Sequence, residues 1–202
     1  YYVGCDFTGY LNRFENTSGV MNLEVIFSRS EPGFELLIEF IRSQGLDYRW
    51  LNVFASALIL FGFSRFLGAF KWPLLVLALL FPIIVLQLSM SGIRQAIAVA
   101  MLMAAAPHFV SGNRFGTAAF ILIGSQFHTS ALIFLPIALL AGQEVKVRTF
   151  LIAFVLVAPA VLYLGGDRFD TYQERYIDQI YGEISSGGAF IRYSMILLPV
   201  LL

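Results

Sequence analysis

The chain has 202 residues, of which 58% are hydrophobic and 13% are charged, and its formal net charge is zero. A mean hydropathy of +0.78 lies outside the range of ordinary soluble domains and predicts an all-α, polytopic transmembrane helical bundle. The zero net charge argues against a nucleic-acid partner, and the single cysteine, Cys5, excludes an intrachain disulfide.

The first 49 residues contain the pattern of an amphipathic helix. Its apolar side is Phe34, Leu37, Ile38 and Ile41, and its opposite side is Glu35, Glu39 and Arg42. Such a helix is expected at the membrane interface, over the mouth of the bundle. Glu31 and Pro32 predict its start, because proline fits the first turn and a carboxylate suits the positive helix end. Glu31 is thus either a capping residue or a catalytic one.

Three long apolar runs predict membrane-spanning helices, since a bilayer core of about 30 Å needs about 20 helical residues. These runs are Trp50 to Ala69, Trp72 to Met90 and Ile93 to Val110. We expect the membrane helices to occupy residues 50–164, including a further span from Thr149 to Leu164. Residues 190–202 begin a helix that is cut short, so residues 1–202 are expected to be one transmembrane domain from a longer protein.

The run from Phe115 to Ala141 is too long for one membrane helix and is interrupted by polar residues 124–130. Positive residues concentrate in cytoplasmic loops, and the positive loops on either side of this run share a face only if it turns back. We therefore predict a re-entrant or broken helix near 125–129, with His128 at the turn. The alternative is one long, tilted helix. The predicted topology places residues 1–49 and 166–188 in outer loops.

Arg94 lies between two predicted spans, in the string Ser91-Gly92-Ile93-Arg94-Gln95. A guanidinium near hydrocarbon costs at least about 2.5 kcal/mol, so such residues usually face a partner, a cavity or a substrate. Two interpretations follow for Arg94: a contact to a phosphate, or a structural ion pair with a carboxylate of the outer loops.

The outer loop 166–188 mixes charged residues with tyrosines, including Arg175, Tyr176 and Tyr181. This mixture suits sugar rings and diphosphates, but it is also typical of a solvated helix face. The chain has no phosphate-binding loop, no histidine pair at metal-ligand spacing and no serine nucleophile elbow. We therefore expect neither a metal nor a cofactor.

Four short motifs occur in order along the chain. They are Gly4-x-Asp6-x-x-x-Tyr10-x-x-x-Phe14, Glu31-Pro32-Gly33-Phe34, Ser91-Gly92-Ile93-Arg94-Gln95-x-x-Ala98 and Phe127-His128-x-Ser130-Ala131-Leu132. Together they resemble the EpsG family of exopolysaccharide membrane proteins, which looks like a branch of the Wzy-type polysaccharide polymerases.

The resemblance implies a glycosyltransferase of the bacterial inner membrane. A growing chain would leave its undecaprenyl diphosphate carrier and join an incoming lipid-linked oligosaccharide on the outer face. The implied partners are this lipid-linked oligosaccharide, the lipid bilayer and other polysaccharide export or chain-length proteins.

Site roles follow from the demands of that reaction. Arg94 would bind the departing diphosphate, because its planar guanidinium pairs with phosphate oxygens. His128 would be the base, with Asp6 and Glu31 as rivals if a poorly hydrated cleft raises either pKa. Alternatively, His128 hydrogen-bonds backbone carbonyls that the helix break leaves free, and holds the turn. The expected substrate-binding residues are Gln95, Arg175, Tyr10, Tyr176 and Tyr181. Gln95 would alternatively orient Arg94 or bond a neighbouring helix, and the tyrosines would alternatively anchor the membrane interface.

Two other function classes remain open. A flippase of lipid-linked sugars would need polar residues along a through-path, whereas the stretch from Val99 to Ala106 is almost wholly apolar. A non-catalytic subunit of a polysaccharide assembly machine predicts that Arg94 is satisfied within the protein.

Overall fold

Helices form all the regular secondary structure in the described part of the chain. The structure is a computed structural model. It describes residues 7–17, 19–20, 22–82, 84, 92–143, 148–149, 151–153, 155 and 157–159. The helices are α1 (Phe7–Glu15), α2 (Leu23–Phe27), α3 (Pro32–Ser43), α4 (Tyr48–Leu67), α5 (Pro73–Leu80), α6 (Ile93–Val110), α7 (Arg114–Ser125) and a 3₁₀ helix (Thr129–Leu140). No strand occurs among these residues, so the predicted all-α class is confirmed for them.

Three helices lie within the first 49 residues, where the sequence predicted one. The predicted amphipathic helix is α3, which starts at Pro32 as expected. The short α2 is capped by Asn22, whose Oδ1 accepts a hydrogen bond from the backbone N–H of Val25 at 3.3 Å. The helix α1 was not predicted, although Phe7, Tyr10, Leu11 and Phe14 recur at the spacing of one helix face.

Among the described residues, two helices, α4 and α6, are long and apolar enough to cross a membrane. At 1.5 Å per residue each is roughly 30 Å long, close to the thickness of a bilayer core. The predicted limits of α6 match its observed limits, and α4 starts two residues earlier than predicted, after Asp47. Asp47 caps α4 by accepting a hydrogen bond from the N–H of Arg49 at 3.0 Å.

The helices α4 and α6 run side by side in the same direction. Gly62 of α4 lies against the backbone of α6, where an added Cβ would be 2.1 Å from the carbonyl oxygen of Ala100. Further along, Nη2 of Arg65 lies 3.1 Å from Nε2 of His108. Small residues at the contact let the two backbones approach closely, as is common between membrane helices.

The chain reverses direction at residues 126–128, between α7 and the 3₁₀ helix. The 3₁₀ helix returns to the far end of α6, where the N–H of Gly142 donates to the carbonyl oxygen of Phe109 at 2.8 Å. Gly112 and Gly142 meet there with positive φ angles of 78° and 76°, and a Cβ on Gly142 would lie 2.6 Å from Cα of Gly112. The predicted break near 125–129 is therefore present, and the single long helix is excluded.

In the part of the chain that the structure describes, two clusters of buried side chains form the core. One lies along α4 and α6, and the other joins α1 and α3 to the start of α4 through Tyr10, Phe14, Phe34, Ile38, Ile41 and Leu51. Ile93 and Phe127 pack against both clusters. The start of α6 and the turn after α7 are thus held beside α1 and α3, and this arrangement positions the site.

Candidate active site

Glu31 lies immediately before α3 and has only 3% of its surface exposed. Its backbone is non-helical (φ −133°, ψ 67°), because the following Pro32 disfavours the helical region. Its side chain makes no capping hydrogen bond to α3. The interpretation of Glu31 as a helix-capping carboxylate is therefore wrong, and both oxygens are available to other elements.

The Glu31 carboxylate joins two other predicted catalytic residues. Its Oε1 accepts a hydrogen bond from Nδ1 of His128 at 2.8 Å, and its Oε2 forms an ion pair with Nη1 of Arg94. These three residues, which we call the Glu31 cluster, come from the start of α3, the start of α6 and the turn after α7. The structure thus brings together residues that are distant in the sequence.

The pKa of Glu31 is set by opposing effects. Burial by itself would raise it, but the hydrogen bond from His128 and the positive charge of Arg94 together lower the pKa below its ordinary value of 4.5. The expectation of a raised pKa for Glu31 is therefore wrong. The group is a carboxylate at neutral pH and only accepts hydrogen bonds, so Nδ1 of His128 carries a proton. In the neutral imidazole, Nε2 is then the acceptor.

Arg94 lies in the first turn of α6, and its side chain is 30% exposed. The guanidinium carbon lies 5.5 Å from the centre of the Tyr10 ring and 5.9 Å from the centre of the Phe34 ring. Nε is 3.5 Å from the hydroxyl oxygen of Tyr10, which makes a long hydrogen bond. Two aromatic faces and a carboxylate therefore compensate this cation. Nη2 makes no hydrogen bond to any residue that the structure describes.

The position of His128 depends on how α3 meets the turn after α7. The N–H groups of Gly33 and Phe34 donate to the carbonyl oxygen of Gln126 at 2.9 and 3.3 Å. A Cβ on Gly33 would lie 2.7 Å from Cβ of Gln126, so a larger residue would push the two segments apart. The hydroxyl of Thr129 also donates to the carbonyl oxygen of Ser30 at 3.3 Å. These contacts hold the imidazole beside the Glu31 carboxylate.

The charged side of α3 packs against α1 and the segment after it, although the amphipathic pattern by itself would equally suit a solvated face. Glu35 is only 7% exposed and forms an ion pair with Arg13 of α1. Arg42 donates from Nη2 to the backbone oxygen of Thr17 at 3.2 Å. The sequence missed this arrangement because a charged helix face looks the same whether it meets water or a second helix. A usable signal was present in α1, where Tyr10 and Arg13 are three residues apart and therefore share a helix face.

A comparison with known families decides the affiliation of the chain. The sequence profile of the EpsG family matches residues 1–202. The chain belongs to the EpsG family. Neither a curated protein nor a solved structure matches it. The predicted resemblance is thus confirmed, and with its two apolar helices the protein is a membrane protein involved in exopolysaccharide biosynthesis.

In this EpsG-family protein, the four motifs that carried the resemblance converge in space. The first contributes Tyr10 and Phe14, the second Glu31 and Phe34, the third Arg94, and the fourth Phe127 and His128. Residues that are separate along the chain therefore meet at one end of the helices.

The remaining predicted site residues do not join the Glu31 cluster in the described part of the chain. Gln95 is exposed on α6, and no hydrogen bond among the described residues joins its side chain to Arg94. The other four lie outside the described residues: Asp6, Arg175, Tyr176 and Tyr181.

Proposed function

We propose that this EpsG-family protein is a Wzy-like membrane glycosyltransferase. It polymerises oligosaccharide repeat units linked to undecaprenyl diphosphate, and produces exopolysaccharide or O-antigen on the outer face of the bacterial inner membrane. The Glu31 cluster carries the proposal, because an oriented histidine lies beside a partly exposed guanidinium. Several membrane crossings, with the cluster at the outer end of the bundle, complete the arrangement.

The acceptor sugar needs a base. Nε2 of His128 takes the proton from the attacking hydroxyl as its oxygen bonds to the anomeric carbon of the donor sugar. Glu31 holds the imidazole through Nδ1 and stabilises the imidazolium that forms, so it orients the base and does not take the proton itself.

The donor sugar needs stabilisation of its leaving group. The bond between its anomeric carbon and the diphosphate oxygen breaks, and the bonding electrons stay on the diphosphate. Arg94 meets this developing charge with N–H donors that its contact to Glu31 leaves available. Tyr10 and Phe34 hold the guanidinium in place from its flat faces.

One observation favours a second candidate, a non-catalytic subunit of a polysaccharide assembly machine. The ion pair between Arg94 and Glu31 satisfies the costly charge within the protein, which is what that function predicts. The 30% exposure of the Arg94 side chain supports the enzyme instead, since a purely structural pair gains nothing from an open side.

The test uses full-length protein in proteoliposomes supplied with lipid-linked repeat units. The measurements are the rate of polymerisation and the length of the polymer. We expect Arg94→Ala to lower the polymerisation rate by about 10² to 10³, as for a lost transition-state donor. His128→Asn is expected to lower it by about 10² to 10⁴, as for a lost base. Long polymer made at a normal rate by Arg94→Ala protein would contradict catalysis and favour the assembly subunit.

A matched control exists at the opposite end of the same helices. Arg65 and His108 form an analogous contact, with 3.1 Å between Nη2 and Nε2. We expect Arg65→Ala and His108→Asn, at equal protein levels, to polymerise at close to the wild-type rate. Equal losses at both ends would attribute the effect to helix packing and contradict the assigned roles.

A further inference from the structure

A second arginine lies beside the Glu31 cluster, in the pair formed by Arg13 of α1 and Glu35 of α3. Glu35 lies four residues after Glu31, in the first turn of α3. Each binds one arginine: Glu31 binds Arg94, and Glu35 binds Arg13. The site thus contains two neighbouring arginine–glutamate ion pairs.

One aromatic ring links the two pairs. The guanidinium carbon of Arg13 lies 5.7 Å from the centre of the Phe34 ring, and that of Arg94 lies 5.9 Å from the same centre. Both cations therefore contact Phe34, which is fully buried. Contact with a ring face restrains each guanidinium.

In both arginine–glutamate pairs, the arginine side chain is more exposed than the glutamate side chain. The Arg13 side chain is 31% exposed and that of Glu35 9%, while the corresponding values for Arg94 and Glu31 are 30% and 4%. Both carboxylates are thus buried, and both arginine side chains are partly exposed. An anion that approaches from outside would meet the cations before the carboxylates.

We propose that Arg13 and Arg94 form a two-arginine site for a diphosphate, in which each guanidinium binds one of the two linked phosphates. This inference rests on the proposed function, because the diphosphate is that of the lipid carrier. Two guanidinium groups on one ring suit two linked phosphates, while a monophosphate needs only one of them. Arg13 is then a substrate-binding residue.

The test measures binding of undecaprenyl diphosphate and undecaprenyl monophosphate to the full-length protein in nanodiscs of zwitterionic lipid. We expect Arg13→Ala to weaken diphosphate binding about tenfold, the loss of one charge-assisted contact, and to change monophosphate binding much less. Glu35→Gln frees the Arg13 charge while keeping the shape of the side chain, and is expected to strengthen diphosphate binding.

The opposite signs of these two effects separate binding from a structural role. A structural clasp between α1 and α3 would be broken by either change, so affinity that falls in both variants, or in neither, would overturn the role of Arg13. Arg13→Lys keeps the charge and is expected to retain part of the affinity. Arg42 is the matched control, since its guanidinium carbon lies 5.4 Å from the centre of the Phe14 ring with no carboxylate partner among the described residues.

Failure of this inference is distinguishable from failure of the proposed function. If Arg94→Ala weakens diphosphate binding while Arg13→Ala has no effect, the proposed polymerase function is retained and the proposed role of Arg13 is overturned. If the wild-type protein does not bind undecaprenyl diphosphate, both the proposed function and the two-arginine site are overturned.

Discussion

Glu31 receives a hydrogen bond from His128 and lies beside the positive charge of Arg94, and both contacts favour its ionised form. Burial alone would raise its pKa, yet these contacts lower the pKa below 4.5. A carboxylate with a lowered folded-state pKa stabilises the folded protein above its unfolded-state pKa, and this contribution is lost as pH falls through the folded-state pKa.

Acid should therefore abolish the difference between the wild-type protein and its Glu31→Gln variant. We expect wild type to melt at the higher temperature at neutral pH, and the gap to diminish only once the pH falls below 4.5. Thermal unfolding of both proteins in detergent over a pH series measures the gap. A gap that closes between about pH 7 and pH 5 would mean that a different group controls it.

At the residue scale, individual functional residues could be predicted from the sequence more readily than the residues that they contact. Arg94 could be predicted because a charge between two apolar runs is costly, and His128 because it lies in a polar break of an apolar run. The sequence did not decide between Asp6 and Glu31 as the important carboxylate. Arg13 and Glu35 were missed, since their pairing depends on how α1 lies across α3.

At the scale of elements, the predictions succeeded where one physical requirement dominates. The length of α6 follows from bilayer thickness, and the break before Thr129 follows from polar residues inside an apolar run. The 3₁₀ form of residues 129–140 could not be predicted, because 3₁₀ runs longer than 3–4 residues are uncommon. Pro136 within it lacks the N–H that a regular α-helix would use.

The close contact between α4 and α6 yields a prediction about one glycine. Gly62→Ala places a methyl group 2.1 Å from the carbonyl oxygen of Ala100, so the helices must separate. We expect a loss of about 1–3 kcal/mol in the free energy of unfolding, as for other overpacked contacts. Gly9→Ala in α1 is the control, because nothing lies within 4 Å of its added Cβ.

The control should be neutral or stabilising, by about 0.5–1 kcal/mol, because alanine favours a helix over glycine. Unfolding of both variants in mixed detergent micelles gives the comparison. Equal effects of the two substitutions would show that α4 and α6 do not pack through Gly62.

At the scale of the whole molecule, the site forms because different segments pack against the two ends of α4 and α6. The Glu31 cluster, α1 and α3 lie where α4 and α6 begin, and the contact between Gly112 and Gly142 lies where α6 ends. The order of α4, α6 and the broken run that follows them could be predicted from apolar runs. The convergence of four motifs at one end could not, because it depends on contacts between segments remote in sequence.

The reversal at 126–128 predicts that the loops before α7 and after the 3₁₀ helix lie on the same side of the membrane, and the concentration of positive residues predicts that this side is the cytoplasm. Ser111 precedes α7 and Gln143 follows the 3₁₀ helix, and the two positions are close to the contact between Gly112 and Gly142. We expect cysteines placed at both positions, with Cys5 replaced by serine, to react with an impermeant maleimide only after the cells are permeabilised. A cysteine at Ser43, which is exposed at the end of α3, should react in intact cells. A single crossing by residues 114–140 would instead expose either position 111 or position 143 in intact cells, but not both. That outcome would remove the hairpin from the membrane topology, and with it the support for His128 on the outer face.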